Sequence, residues 1–295
     1  MPPRGLPRGC GEPAVPPDLG GRLRAVRYAL PRQVERITPG PDAAAAAGIC
    51  GRLRQRGFAA TLGHFPGSRD TPASVVDANL ALIAALRAAP GGAYLSIKMP
   101  PLGFDAVRLH AIADAAAAAR LPLLFDAHAP HQADATLALW GEVLAGQPGT
   151  GCALPARWRR SRADAERLAP GTARIRVVKG EWADPDWPDA DIEAGYLALV
   201  ATLAGRSGTV AVATHRPSLA ERALALLLEA GTPCELEQLR GLPMRRTVTI
   251  ARRFGVPVRV YVPFGPGWLP YAVDKALARP YLPAWMLRDR LGLAD

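Results

Sequence analysis

From Pro41 onward, short apolar runs alternate with longer segments of helical period, and the unit repeats roughly every 30 residues. This rhythm restricts the fold more than any other feature. The expected strands are 58–63, 93–98, 122–126, 151–156, 174–179, 209–213, 233–236 and 257–262. Helical segments are expected near 72–89, 104–119, 132–146, 161–168, 190–205, 217–230 and 243–254, with 266–279 after the last strand. Most runs do not alternate in polarity, which points to parallel strands covered on both faces. Eight β–α units in about 240 residues suit an α/β protein of the closed (β/α)₈, TIM-type barrel class. The alternative is an open doubly wound sheet, but no G-x-G-x-x-G fingerprint follows the first strand.

Composition narrows the class. With 295 residues, 49% hydrophobic and 21% charged, the chain is long enough to bury a large core and unlike a disordered one. Residues 1–40 are rich in Pro, Gly and Arg and read as a partly irregular N-terminal extension, with the barrel spanning 41–295. The net charge of +10 raises nucleic-acid binding as a possibility. However, the arginines are scattered and no stacking aromatics interleave with them, so no nucleic-acid partner is expected. Only three lysines occur, Lys98, Lys179 and Lys275, in a chain that otherwise uses Arg. They mark positions where a compact ammonium matters. Cys10, Cys50, Cys152 and Cys234 are widely spaced, and no signal peptide or membrane span is evident. These features point to a cytoplasmic chain.

In a barrel of this kind, the chemistry belongs at the C-terminal strand ends. Lys98 ends the second expected strand, Asp126 the third and Lys179 the fifth. Thr214 and His215 follow the sixth, Glu237 and Gln238 the seventh, and Tyr261 lies in the eighth. Each has a plain structural alternative: Asp126 as a helix cap, His215 bonded to a loop carbonyl, Tyr261 as core. Six strand ends converging on one rim favour a shared pocket. His64 reads as a turn histidine. His128 and His131 lack a third ligand, so no metal is expected.

The segments LSIKMPPLGFD (95–105), LLFDAH (123–128), RIRVVKGEW (174–182), VATHRPS (212–218), CELEQLRGLP (234–243) and VRVYVPFGPGWLPYAVDKALARP (258–280) together resemble the proline dehydrogenase family over residues 40 to 293. The last is the most specific, through Tyr261, Pro263, Gly265, Trp268, Pro270 and Tyr271. The resemblance implies a barrel with an extra helix over its mouth. It also implies an FAD-dependent oxidoreductase of proline catabolism that converts L-proline or a related cyclic secondary amine to the imine and passes electrons to a quinone, with the membrane surface as one place to meet it. On matching positions it implies Arg176 against the flavin ring, Val178, Gly180 and Trp182 lining it, and Ala213, Thr214, His215 and Gln238 toward its pyrophosphate or adenosine half. Lys98 and Asp126 would pair at the substrate end, with Tyr261 and Tyr271 walling the amine ring and Lys275 gripping a carboxylate.

Three departures stand out. Asp274, Lys275 and Ala278 occupy positions where the family carries Arg, Arg and Glu; Pro155, Ala156 and Arg157 stand for Gln-Ala-Tyr; and Glu181 replaces a small residue. A barrel of this ancestry with altered or lost catalysis, and a basic binding protein, are therefore the alternatives. Oligomeric state is not legible.

Overall fold

The computed structural model describes residues 40–87, 92–188, 190–277 and 281–291. Expectations for residues 1–39, including Cys10, and for Ala278 lie outside them. Eight parallel strands close into a barrel in sequence order: β1 (Ala59–His64), β2 (Ala93–Ile97), β3 (Leu123–Phe125), β4 (Gly151–Pro155), β5 (Ile175–Val178), β6 (Val210–Ala213), β7 (Cys234–Leu239) and β8 (Val258–Phe264). β8 returns to β1 with Ala59 opposite Arg259 and His64 opposite Phe264, so the open-sheet alternative is excluded.

Helices α1 (Ala43–Gln55), α2 (Pro72–Arg87), α3 (Ala106–Ala118), α4 (Ala133–Gly146), α5 (Ser161–Leu168), α6 (Ile192–Thr202), α7 (Pro217–Glu229) and α8 (Arg245–Arg253) lie outside the strands. Then α9 (Trp268–Leu277) and α10 (Leu282–Leu291) follow β8. Helix α1 was not expected. Asp42 caps it by accepting from the Ala45 N–H at 2.7 Å, and it packs against β1, β8 and α2. It thereby fills the outer place beside β8, and α9 is left to cross the mouth. No described helix is long and apolar enough to cross a membrane.

Several strands do alternate, contrary to the sequence reading. In β5, Ile175 and Val177 join the apolar shell between strands and helices, while Arg174 and Arg176 meet charged partners inside the barrel. In β7, Leu236 joins the shell and Glu235 and Glu237 turn inward. The lumen therefore holds charge. Arg259 Nε pairs with Glu235 at 2.6 Å, Arg174 pairs with the same carboxylate, and both guanidinium groups stack on Tyr94, at 4.4 and 4.8 Å. Arg259 also donates to the carbonyls of Ala60 and Gly92. Isolated buried ions would be severely penalised, so each is tolerated only through its partners on other strands.

β7 and β8 run to Leu239 and Phe264, beyond the expected ends at 236 and 262. Glu237 and Gln238 are accordingly side chains of β7 rather than of the loop after it.

Candidate active site

The upper layer of the lumen gathers side chains from five strands. Asp126 directly follows β3, its N–H donating to the Ile97 carbonyl at 2.8 Å. One carboxylate oxygen lies 3.0 Å from Lys98 Nζ, just past β2, and accepts from the Tyr261 hydroxyl of β8 at 2.9 Å. The other oxygen pairs with Arg176 of β5. That guanidinium reaches on to Glu237 of β7 at 3.2 Å and stacks under the Tyr261 ring at 5.3 Å. The Tyr261 hydroxyl also accepts from Lys98 Nζ at 2.8 Å and lies 3.2 Å from Ser96 Oγ.

Electrostatics lock these groups in their charged states. Burial alone would push the Asp126 pKa up, but Lys98 and Arg176 hold it well below the usual carboxylate range. Burial would likewise lower Lys98 and Arg176. The charge of Asp126, with the Tyr261 hydroxyl for Lys98 and Glu237 for Arg176, overrides it and raises both. Burial and the Asp126 charge raise the Tyr261 phenol, so it remains a neutral donor. The layer is thus a preorganised set of fixed charges.

One backbone feature permits it. A β-carbon on Gly63 of β1 would overlap the Tyr261 hydroxyl and stand 3.0 Å from Lys98 Nζ. Glycine at 63 is therefore what lets Tyr261 reach Lys98 and Asp126.

Above this layer, α9 spans the mouth from the end of β1 to the end of β5. Phe65 follows β1 and meets the rings of Tyr271 (5.2 Å), Trp268 (5.5 Å) and Tyr261 (6.4 Å), with Lys98 Nζ 4.3 Å from its centroid. At the other side, Tyr271 donates to Glu181 Oε2 at 3.1 Å, and Lys275 forms an ion pair with the same carboxylate. Tyr271 and Lys275 are four residues apart, hence on one helix face. Glu181 is itself anchored by Arg157, which donates to its carbonyl at 2.9 Å. Lys275, read from sequence as the grip for a carboxylate, thus already has a partner in the chain. Asp274 lies beside it at 3.9 Å.

The residues assigned to a cofactor divide into two groups. Val178, Gly180, Ala213 and Thr214 stand half-buried along the ends of β5 and β6, and Trp182 is exposed with its ring 5.4 Å from His128. Gln238, by contrast, is fully buried: it donates to the Thr214 and Glu237 carbonyls and accepts from Thr247 Oγ1. His215 accepts from the Leu239 N–H at Nε2 and lies 2.7 Å from the Pro243 carbonyl at Nδ1. Both tie β6, β7 and α8 together. The three bonds of Gln238 use both amide hydrogens and one of its two carbonyl lone pairs.

Pro155 ends β4, and the Ala156 N–H supplies the next ladder bond, to Val178 O at 2.8 Å. Pro155 lines a small cleft shared with Asp126, His128 and Trp158. Burial lowers His128 to about 4, and His64, packed on Phe264 at 5.2 Å, behaves alike. Both are neutral near pH 7. Ser96, Phe65 and Glu181 take part in the site without having been assigned to it from sequence. Ser96 sits two positions before Lys98 and so shares its side of β2, a usable signal. Nothing local marks Phe65.

No family model matches the chain. It is 25% identical over 258 residues to proline dehydrogenase 1 of Bacillus subtilis subsp. natto, covering 81% of this chain and 84% of that protein. The same figures hold for proline dehydrogenase 1 of Bacillus subtilis strain 168. Among solved structures, proline utilization A from Bdellovibrio bacteriovorus, inactivated by N-propargylglycine, superposes with a TM-score of 0.70 at 16% identity. The match covers 92% of this chain and 35% of that one. Proline utilization A from Corynebacterium freiburgense gives 0.68 at 18% identity, over 94% and 35%. This chain therefore spans about a third of the length of those two proteins, and at such identity they speak to the fold.

Proposed function

As a divergent member of the proline dehydrogenase family, the chain, we propose, is an FAD-dependent dehydrogenase of a cyclic secondary amine, with proline as the reference substrate and a quinone as the final electron acceptor. Bound FAD would supply the two-electron acceptor for the C–N bond. The fit of such a group to these residues rests on one observation. Arg176 is buried, two of its nitrogens are paired, and its Nε has no hydrogen-bond partner among the described residues. A buried unsatisfied donor is costly, and a flat ring with polar edges is a group that could meet it. Val178, Gly180, Ala213 and Thr214 would hold the cofactor along the half-buried strand ends, with Trp182 at its margin.

The chain's own part follows from the charged layer. Loss of hydride from the carbon beside nitrogen and of the N–H proton leaves a C=N bond, so the amine must arrive neutral, and activity rises with pH as the free amine grows. Tyr261 and Tyr271, each in ring contact with Phe65, would wall an apolar five- or six-membered ring and keep water from it. Asp126, held as a carboxylate, positions the amine's N–H, while Lys98 and Tyr261 keep that carboxylate in place.

The experiment is reconstitution. Purified protein is expected to be yellow, or to take up FAD stoichiometrically. A folded, colourless protein that takes up no FAD contradicts the reading and favours the same barrel with its catalysis lost.

A further inference from the structure

The mouth is closed on one side by a single carboxylate. Glu181 engages both hydrogen-bonding side chains that α9 turns toward the β5 end, the Tyr271 hydroxyl and the Lys275 ammonium. The pair is held from both sides: Arg157 fixes the Glu181 backbone, and Lys275 also lies 5.0 Å from the Tyr271 ring centroid. Glu181 immediately precedes Trp182, whose ring lies 5.4 Å from that of His128, two residues beyond Asp126. On the opposite side Phe65 and Trp268 offer aromatic surface. Among the described residues, the α9 side of the mouth therefore presents carboxylates at Glu181 and Asp274, with the Lys275 ammonium already paired to Glu181 and the Arg157 guanidinium bonded to the Glu181 carbonyl.

A substrate carrying a ring carboxylate would have to pull Lys275 from Glu181 and leave Glu181 facing a like charge. A ring without a carboxylate leaves the pair intact and meets the aromatic walls, with its nitrogen toward Asp126. From this we infer that the site takes a cyclic secondary amine lacking a carboxylate, and that Glu181 is the residue that sets this preference. The inference rests on the amine-oxidation reading above and narrows its substrate class.

Two inert or simple probes separate the possibilities: pyrrolidine, which has the ring nitrogen and no carboxylate, and cyclopentanecarboxylate, which has the reverse. Titrated into flavin-loaded protein by calorimetry, the wild type is expected to bind pyrrolidine at least about tenfold more tightly. Glu181→Ala should free Lys275 and shrink that ratio by about tenfold or more, chiefly through tighter cyclopentanecarboxylate binding. Glu181→Gln, which keeps the shape and removes the charge, should move it the same way. Adding Lys275→Ala to Glu181→Ala should abolish the gain.

Wild-type protein that binds cyclopentanecarboxylate as tightly as pyrrolidine would overturn the inference, as would a ratio unmoved in both Glu181 variants. Failure of the parent reading looks different: the binding ratio stands, yet neither pyrrolidine nor L-proline reduces the flavin.

Discussion

Tyr261 carries three contacts on one hydroxyl, to Lys98, Asp126 and Ser96, and Gly63 is the residue that makes room for it. Gly63→Ala is expected to leave a folded barrel whose Tyr261 ring is displaced, weakening the Lys98 and Asp126 contacts. The cost should be on the order of 1–3 kcal/mol, from overpacking and a lost buried hydrogen bond. Chemical denaturation of Gly63→Ala beside Tyr261→Phe measures it. If the glycine acts through the hydroxyl, the double variant is less destabilised than the sum of the singles; additive losses would mean that it acts elsewhere. Residue-level legibility was uneven in an instructive way. Lys98, Asp126, Arg176 and Tyr261 were readable because each sits at a strand end or in a motif with a fixed place on the rim. The bonds that Gln238 makes to the Thr214 carbonyl and to Thr247 were not readable, because nothing in the sequence states where an amide will find its partners.

Strand β7 and helix α9 show the same limit for whole elements. The expected end of β7 falls early because Glu237 and Gln238 break the apolar run. The charges of Glu235 and Glu237 continue the strand only because Arg174, Arg176 and Arg259 on neighbouring strands neutralise them, a non-local condition. Helix α9 was expected over the mouth, yet its attachment points lie far off in sequence, at Phe65 and Glu181. The aromatic contact is expected to dominate, since surface-exposed ion pairs contribute little and stacked rings contribute more. Phe65→Ala should therefore loosen α9 at its N-terminal end, and amide exchange across 268–277 should accelerate while β1 and β8 remain protected. Unchanged exchange in α9 would show that the Glu181 contacts alone hold it. Helix α1 escaped notice for a different reason: its AAAAAG opening has little polar contrast, so the helical period barely registers.

Seen as one molecule, the chain divides its two cores. The apolar shell between strands and helices, including Leu62, Leu95, Phe125, Val177 and Val212, is what the eightfold rhythm encodes, and that rhythm sufficed to specify the barrel. The lumen is instead a paired ionic stack whose upper layer opens under α9, and it places a carboxylate, two cations and a phenol beneath an aromatic ceiling. A barrel needing only stability would gain from a hydrophobic lumen, since well-packed apolar residues are often at least as stabilising as buried ion pairs. The upper layer is where the proposed chemistry would act, and it can be watched in one step. Flavin-loaded protein is mixed anaerobically with excess pyrrolidine and, separately, L-proline, and the flavin absorption band is followed. Bleaching by pyrrolidine in a single turnover, faster at higher pH and reversed by a quinone, is the expected result, with L-proline acting more weakly. A flavin band that persists with every cyclic secondary amine tried would contradict the account.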